Sequence, residues 1–314
     1  MAKPRIAISL GDPSGIGPEV TAAALSRREV RRSLSPVVFG DARIWARACE
    51  AVGVEDPLAA DGELVEVTRL GAREARPGKP DLAGARAQLA YLKAAAEAVG
   101  QGGCASLCTA PLSKAQVNAA GLPFTGHTEY LAERFERRVL MMLAGARLRV
   151  VLATTHLPLR EVPGALETGR LADDLALLSK SLGRFGLSRP RIAVCGLNPH
   201  AGEQGHLGDE DARIIAPAIA KARRRGVRAE GPFPADSLFP KAIDGGYDAV
   251  FAMFHDQGLV ALKLLHFRDG VNVTLGLPFL RTSPDHGVAY DMAGRGEADP
   301  SSMKEALLWA SRFG

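Results

Sequence analysis

Three of the seven histidines, His156, His200 and His255, stand just behind short apolar runs that read as β-strands. They are 44 and then 55 residues apart (200 − 156 and 255 − 200), so they form no local zinc finger. Three imidazoles brought together with one open position suit a catalytic divalent ion, zinc first, with cobalt or another divalent ion acceptable. The competing reading is three unrelated, hydrogen-bonded histidines. Three of seven at equivalent topological places favour the metal. His127 lies in Thr125-Gly126-His127-Thr128-Glu129, ahead of a helical run from Tyr130 to Arg138. Thr128 is a candidate helix N-cap there, and a helix start can hold an anion. A capping motif with a bystander histidine accounts for the segment equally well. His206 and His266 read as surface or packing residues.

Basic and amide groups gather near the C-terminus. Lys263 is embedded in Leu259-Val260-Ala261-Leu262-Lys263-Leu264-Leu265, where a lysine either snorkels or points into a cleft. Asn272 sits on the strand-like run Val271–Leu275, and Arg281 follows Leu277-Pro278-Phe279-Leu280. A guanidinium and an ammonium suit a substrate carrying phosphate or carboxylate. The segment Gly11-Asp12-Pro13-Ser14-Gly15-Ile16-Gly17-Pro18-Glu19 joins the first strand to the first helix. It has neither the Rossmann Gly-x-Gly-x-x-Gly nor a Walker Gly-Lys-Ser/Thr, so nothing in it alone identifies a nucleotide.

The elements that must position these groups alternate between strand and helix. Strands are predicted over Arg5–Leu10, Pro36–Phe39, Cys104–Cys108, Arg149–Ala153, Arg191–Cys195 and Asp248–Met253, and a long Ala-rich helix over Asp81–Val99. This βα alternation predicts an α/β protein with mostly parallel sheets. Polar residues follow the strands at Gly11-Asp12, Thr109-Ala110-Pro111, Thr154-Thr155-His156, Asn198-Pro199-His200 and His255-Asp256-Gln257. Ligands of open α/β sheets bind outside the carboxyl ends of strands, so these five segments are expected to line a ligand region.

Composition bounds the class. With 314 residues the chain has room for two domains, and 46% hydrophobic against 24% charged residues excludes a disordered chain. The formal charge of +4 is spread along the chain, and its densest run, Lys221–Arg225, falls at a predicted helix end, where cations favour the dipole. Aromatics at 5% are too few for base-stacking platforms, so no nucleic-acid partner is expected. The four cysteines match no zinc spacing and read as reduced core thiols, Cys104 and Cys108 on a buried strand. The N-terminus runs straight into a strand, and no apolar stretch of about 18 residues occurs, so a cytoplasmic protein without membrane contact is expected.

Two segments resemble the β-decarboxylating isocitrate and isopropylmalate dehydrogenases. Gly11–Glu19 is similar to their Gly-Asp-Gly-Ile-Gly-Pro-Glu with two residues inserted, and His286-Gly287-Val288-Ala289-Tyr290-Asp291-Met292-Ala293-Gly294-Arg295-Gly296 is similar to their adenosine-binding loop. The whole chain resembles more closely the 4-hydroxythreonine-4-phosphate dehydrogenases of vitamin B6 biosynthesis. The shared segments are Gly126–Glu129, Ala153–Leu159, Leu197–Glu203, Phe254–Gly258, Val271–Pro278 and Arg281–Gly287.

The resemblance implies a two-domain α/β/α sandwich of the isocitrate/isopropylmalate dehydrogenase type. Residues 1–127 with 287–314 would form one domain, carrying the glycine loop and the adenosine loop. Residues 128–286 would form the other, with metal and substrate residues and a homodimer interface at which the active site is shared. It implies a divalent ion (zinc, cobalt or magnesium) on His156, His200 and His255, and substrate contacts from His127, Thr128, Lys263, Asn272 and Arg281. Gly287, Asp291 and Gly294 would hold the cofactor, Asp291 favouring NAD while NADP stays open as a second acceptor. The implied reaction is NAD-dependent oxidation of 4-phosphooxy-L-threonine at C3 with decarboxylation to 3-amino-2-oxopropyl phosphate, a step toward pyridoxal 5′-phosphate. The alternative is a related metal-dependent dehydrogenase of 4-phosphoerythronate or 4-phosphothreonate. Lys263 and Asp236 are the side-chain candidates for the base.

Overall fold

A computed structural model describes residues 3–314. Its strands in chain order are β1 (Arg5–Ser9), β2 (Ser35–Gly40), β3 (Glu63–Glu66), β4 (Ser106–Thr109), β5 (Leu140–Ala144), β6 (Arg149–Leu152), β7 (Arg191–Cys195), β8 (Arg228–Phe233), β9 (Ala249–Ala252), β10 (Val271–Leu275) and β11 (Leu280–Pro284). The chain divides into two compact units, one running to Arg137 and including Leu277–Gly314, the other Arg138–Gly276. Against the expected borders each division point lies ten residues away (137 − 127 and 287 − 277), and Thr128 and Arg281 fall in the first unit.

In the first unit the strand order is β3-β2-β1-β4-β11, every pair parallel. Ile6, Ala7 and Ile8 are wholly buried, as a parallel strand covered on both faces requires. In the second unit the order is β10-β5-β6-β9-β7-β8. Here β5 runs antiparallel to both neighbours and the remaining pairs are parallel. The architecture is α/β with mostly parallel sheets.

The strands β6, β9 and β7, which precede His156, His255 and His200, are adjacent and parallel, with Val150 opposite Val250 and Val194 opposite Phe251. Their carboxyl ends therefore lie side by side. Helix His255–His266 packs back on them through Leu259 and Leu262, in one core with Val150, Leu152, Val250 and Ala252. Gly258 allows that approach, because a Cβ there would stand 2.4 Å from Val150 Cγ1.

The elements without an apolar signature are those the sequence does not announce. Edge strand β3 is Glu-Leu-Val-Glu, and edge strand β8 contains Gly231-Pro232, a turn signal. In β11 the buried residues include Arg281, Thr282 and Ser283. Strand β5 begins soon after a helix that ends at Arg134 rather than Arg138. Cys104 is buried but precedes β4.

Candidate active site

The strand ends of the second unit are cross-linked before any catalytic group is placed. Thr154 donates its hydroxyl to the Met253 carbonyl at 2.7 Å, tying β6 to β9. Gln257 accepts the Met253 amide at 2.7 Å and donates to the Gly196 carbonyl at 2.7 Å, tying β9 to β7. On this frame the rings of His156 and His255 face each other with centroids 5.7 Å apart. His255 Nδ1 bonds the Asp256 carboxylate at 2.7 Å. A carboxylate accepts there, so Nδ1 carries the proton and Nε2 is the nitrogen turned toward a metal, the arrangement that orients metal-binding imidazoles. The pair lines a cleft of about 360 Å³ with Leu159 and Phe254.

His200 does not join that pair. It lines a neighbouring cleft of about 590 Å³ with Asp236, Asn198 and Gln257, and Leu159 and Phe254 are walls common to both clefts. Its backbone explains the separation. His200, Ala201, Gly202, Glu203 and Gln204 are all left-handed, with φ from 43° to 82°. A left-handed non-glycine residue costs about 1–2 kcal/mol. The segment that enters the run is held by Asp211, which is buried and accepts the amides of Leu197 at 2.8 Å and Asn198 at 3.1 Å. Among the described residues no group of three or more His, Cys, Asp or Glu is gathered closely enough for a metal ion. The donor chemistry of His156 and His255 fits a divalent cation, and a third imidazole is not beside them.

In the first unit, cationic groups surround His127. Gly126, not Thr128, is the N-cap of helix His127–Arg134, so Thr128 occupies the second helical position. His127 Nε2 is buried without a hydrogen-bond partner. Burial first, then Arg281 and Lys114, hold the imidazole well below its ordinary pKa, so it is neutral at pH 7. Arg281 is 2% exposed on β11 and donates from Nε at 3.2 Å and Nη2 at 2.6 Å to Thr109 Oγ1 at the end of β4. Burial brings its guanidinium down to about 10. Lys114 was not singled out by motif or spacing. The only signal for it is its place just after the strand-end segment Thr109-Ala110-Pro111.

The remaining expected substrate residues lie in the second unit. Asn272 stands on β10 with its Oδ1 buried and unpartnered, a group left for a ligand or water. Lys263 is half-buried on helix His255–His266, its ammonium 5.8 Å from the Phe267 ring centre. Asp236 is exposed, and its Oδ1 accepts the Ser237 amide at 2.8 Å.

The loop 286–296 belongs to the first unit and is sewn to the glycine loop. Ile16 N donates to the Val288 carbonyl at 2.9 Å, and Tyr290 donates its hydroxyl to Asp12 at 2.5 Å. A Cβ at Gly287 would meet nothing within 4 Å, whereas one at Gly294 would stand 2.7 Å from Pro77. Asp291 is exposed. Ser14 Oγ and His286 Nε2 are buried without partners, and a cleft of about 280 Å³ opens beside Gly15, Arg47 and Gly294. The unpaired Ser14 Oγ and His286 Nε2 are polar groups left for a ligand or water.

The sequence model of the pyridoxal phosphate biosynthetic protein PdxA matches residues 32–310. A 4-hydroxythreonine-4-phosphate dehydrogenase of Aromatoleum aromaticum is 51% identical over 316 residues, 98% of this chain and 96% of that one. One of Burkholderia vietnamiensis is 50% identical over 309 residues, 96% of this chain and 94% of that one. The crystal structure of a 4-hydroxythreonine-4-phosphate dehydrogenase from Klebsiella pneumoniae superposes with a TM-score of 0.88 at 37% identity, covering 98% of each chain. With a family model matched over most of its length and relatives of this identity end to end, the chain belongs to the family of the pyridoxal phosphate biosynthetic protein PdxA.

Proposed function

We propose that the chain oxidises 4-phosphooxy-L-threonine at C3 with NAD and releases carbon dioxide, giving 3-amino-2-oxopropyl phosphate for pyridoxal 5′-phosphate synthesis. Its relatives carry the name of that dehydrogenase. The observation that carries the reading is His127, a neutral imidazole with an unpartnered buried Nε2, influenced by two cations, Arg281 and Lys114. That set suits a phosphate or carboxylate bearing a hydroxyl neighbour.

Each residue then has a task. Arg281, Lys114 and the start of helix His127–Arg134 hold the anionic group. Thr128 and Asn272 fix its orientation by hydrogen bonds. Lys263 or Asp236 takes the C3 hydroxyl proton as the C3 hydrogen departs as hydride. The C1–C2 bond of the resulting β-keto acid breaks, carbon dioxide leaves, the electron pair moves to the C3 oxygen as an enolate, and C2 is reprotonated. A bound nicotinamide would supply the hydride acceptor, held by Gly287, Asp291 and Gly294, and a bound zinc, cobalt or magnesium ion would supply positive charge at His156 and His255, with His200 of the neighbouring cleft as the proposed third ligand.

The helix that begins at His255 carries an exposed apolar stripe. Val260, Leu264 and Phe267, at i, i+4 and i+7 on the helix that starts with His255, are 60%, 82% and 74% exposed, and Leu159 near His156 is 67% exposed. A stripe of this kind supports a homodimer whose interface borders the site. Among the described residues no helix is long and apolar enough to cross a membrane. The four cysteines are free and buried, which supports a reducing, cytoplasmic setting. The test is NADH formation with 4-phosphooxy-L-threonine, 4-phosphoerythronate and 4-phosphothreonate in parallel, with and without chelator. The highest kcat/KM with the amino substrate is expected, and preference for either hydroxy acid analogue would replace the reading with its alternative.

A further inference from the structure

We propose that Glu19 is a positioning residue for the dinucleotide: its carboxylate holds the loop 286–296 in the shape that receives the cofactor. Glu19 lies in the first turn of helix Gly17–Leu25 and is only 5% exposed. It accepts the Gly294 amide at 2.6 Å and the Gly296 amide at 2.9 Å, across more than 270 residues of sequence. Two amides converging on one buried carboxylate make a charge-assisted clamp rather than a surface contact. Both glycines are left-handed, with φ of 85° and 68°. A Cβ at Gly296 would stand 2.1 Å from the Ala51 carbonyl, so only glycine lets the backbone approach that closely there.

The clamp faces a recess. Glu19 lines the cleft of about 280 Å³ together with Gly15, Arg47, Glu50, Pro77 and Gly294. Arg47 is held at its rim by the carbonyls of Pro13 at 2.6 Å and Ala75 at 2.9 Å. In the middle of the loop, Asp12 takes the Tyr290 hydroxyl, and Ser14 N donates to the same carboxylate at 2.8 Å. Two carboxylates of the segment Gly11–Glu19 thus tie the loop at its middle and at its C-terminal end, and the unpartnered Ser14 Oγ and His286 Nε2 lie on the two segments so joined. Glu19 acts through the loop and touches no reacting atom.

This inference rests on the dehydrogenase reading, and the test separates the two. Binding of NADH is measured by fluorescence for the wild type, Glu19→Gln and Glu19→Ala, alongside melting temperature and the KM for each substrate. Gln keeps one acceptor for one amide and turns an N–H toward the other. Losing one charge-assisted hydrogen bond predicts NADH binding weakened about tenfold in Glu19→Gln, and by about a hundredfold in Glu19→Ala. KM for NAD should rise in step while KM for the phosphorylated substrate stays within twofold. Wild-type affinity in both variants, or an equal rise in both KM values, would overturn the positioning role. Hydrogen exchange at the Gly294 and Gly296 amides of the nucleotide-free wild type tests the clamp without any variant: slow exchange is expected, and exchange at the rate of an open loop would contradict it. A wild type that binds no NADH would instead remove the dehydrogenase reading.

Discussion

Arg281→Met should separate stability from substrate binding. The guanidinium is 2% exposed, and burial lowers its pKa from the ordinary arginine range to about 10. At about 1.4 kcal/mol for each tenfold in proton affinity, keeping the charge there costs the fold on the order of 3 kcal/mol. A base with a lowered folded pKa binds its proton less well when folded, so this cost is present in full below pH 10. Methionine removes that cost together with the two hydrogen bonds to Thr109, which contribute about 1.5–3 kcal/mol each as charged bonds. The relief offsets much of the loss, so the melting temperature should fall by less than about 10 °C and the protein should stay folded. Binding has no such offset. Loss of a buried guanidinium from an anion costs about 3–4 kcal/mol, or roughly a hundred- to a thousandfold in kcat/KM. Thermal denaturation and steady-state kinetics on one preparation decide it. Collapse of the fold would show Arg281 to be structural, and kcat/KM within threefold of wild type would refute its place on the substrate.

Other consequences follow from the same geometry. His127 is neutral in the folded chain and takes up a proton only well below its ordinary pKa, whereas the unfolded chain binds that proton near 6.5. Its contribution to stability is complete above that value and falls as pH drops through it, so His127→Gln should lose less stability than wild type between pH 7.5 and pH 5 in melting experiments. Leu264→Glu, at the most exposed point of the apolar stripe, should shift the protein from dimer to monomer in sedimentation, and an unchanged dimer would place the interface elsewhere. Asp291→Ser should raise kcat/KM for NADP relative to NAD by tenfold or more, and an unchanged ratio would dissociate Asp291 from the ribose.

What the sequence disclosed followed physical visibility. Strands buried on both faces write themselves as apolar runs, so β1, β6, β7 and β9 were legible, and with them the places of His156, His200 and His255. β11 was not, because its buried residues include Arg281, Thr282 and Ser283, polar groups satisfied only by the fold. Thr128 has the composition of an N-cap, but the φ of 156° at Gly126 starts the helix two residues earlier. No local pattern encodes the left-handed run at His200–Gln204, whose entering segment Asp211 holds from later in the chain. Lys114 and Glu19 acquire their roles only through contacts between distant segments.

The central claim is that a cation held by His156 and His255 takes His200, from the neighbouring cleft, as its third ligand. Metal content of the purified protein, stripped with chelator and reloaded, tests it for wild type and for the three single alanine variants. One divalent ion per subunit is expected in the wild type, with the ion and NADH formation lost together in each variant while the melting temperature stays close to wild type. Retention of ion and turnover in His200→Ala would contradict the shared site and confine metal binding to the His156–His255 pair.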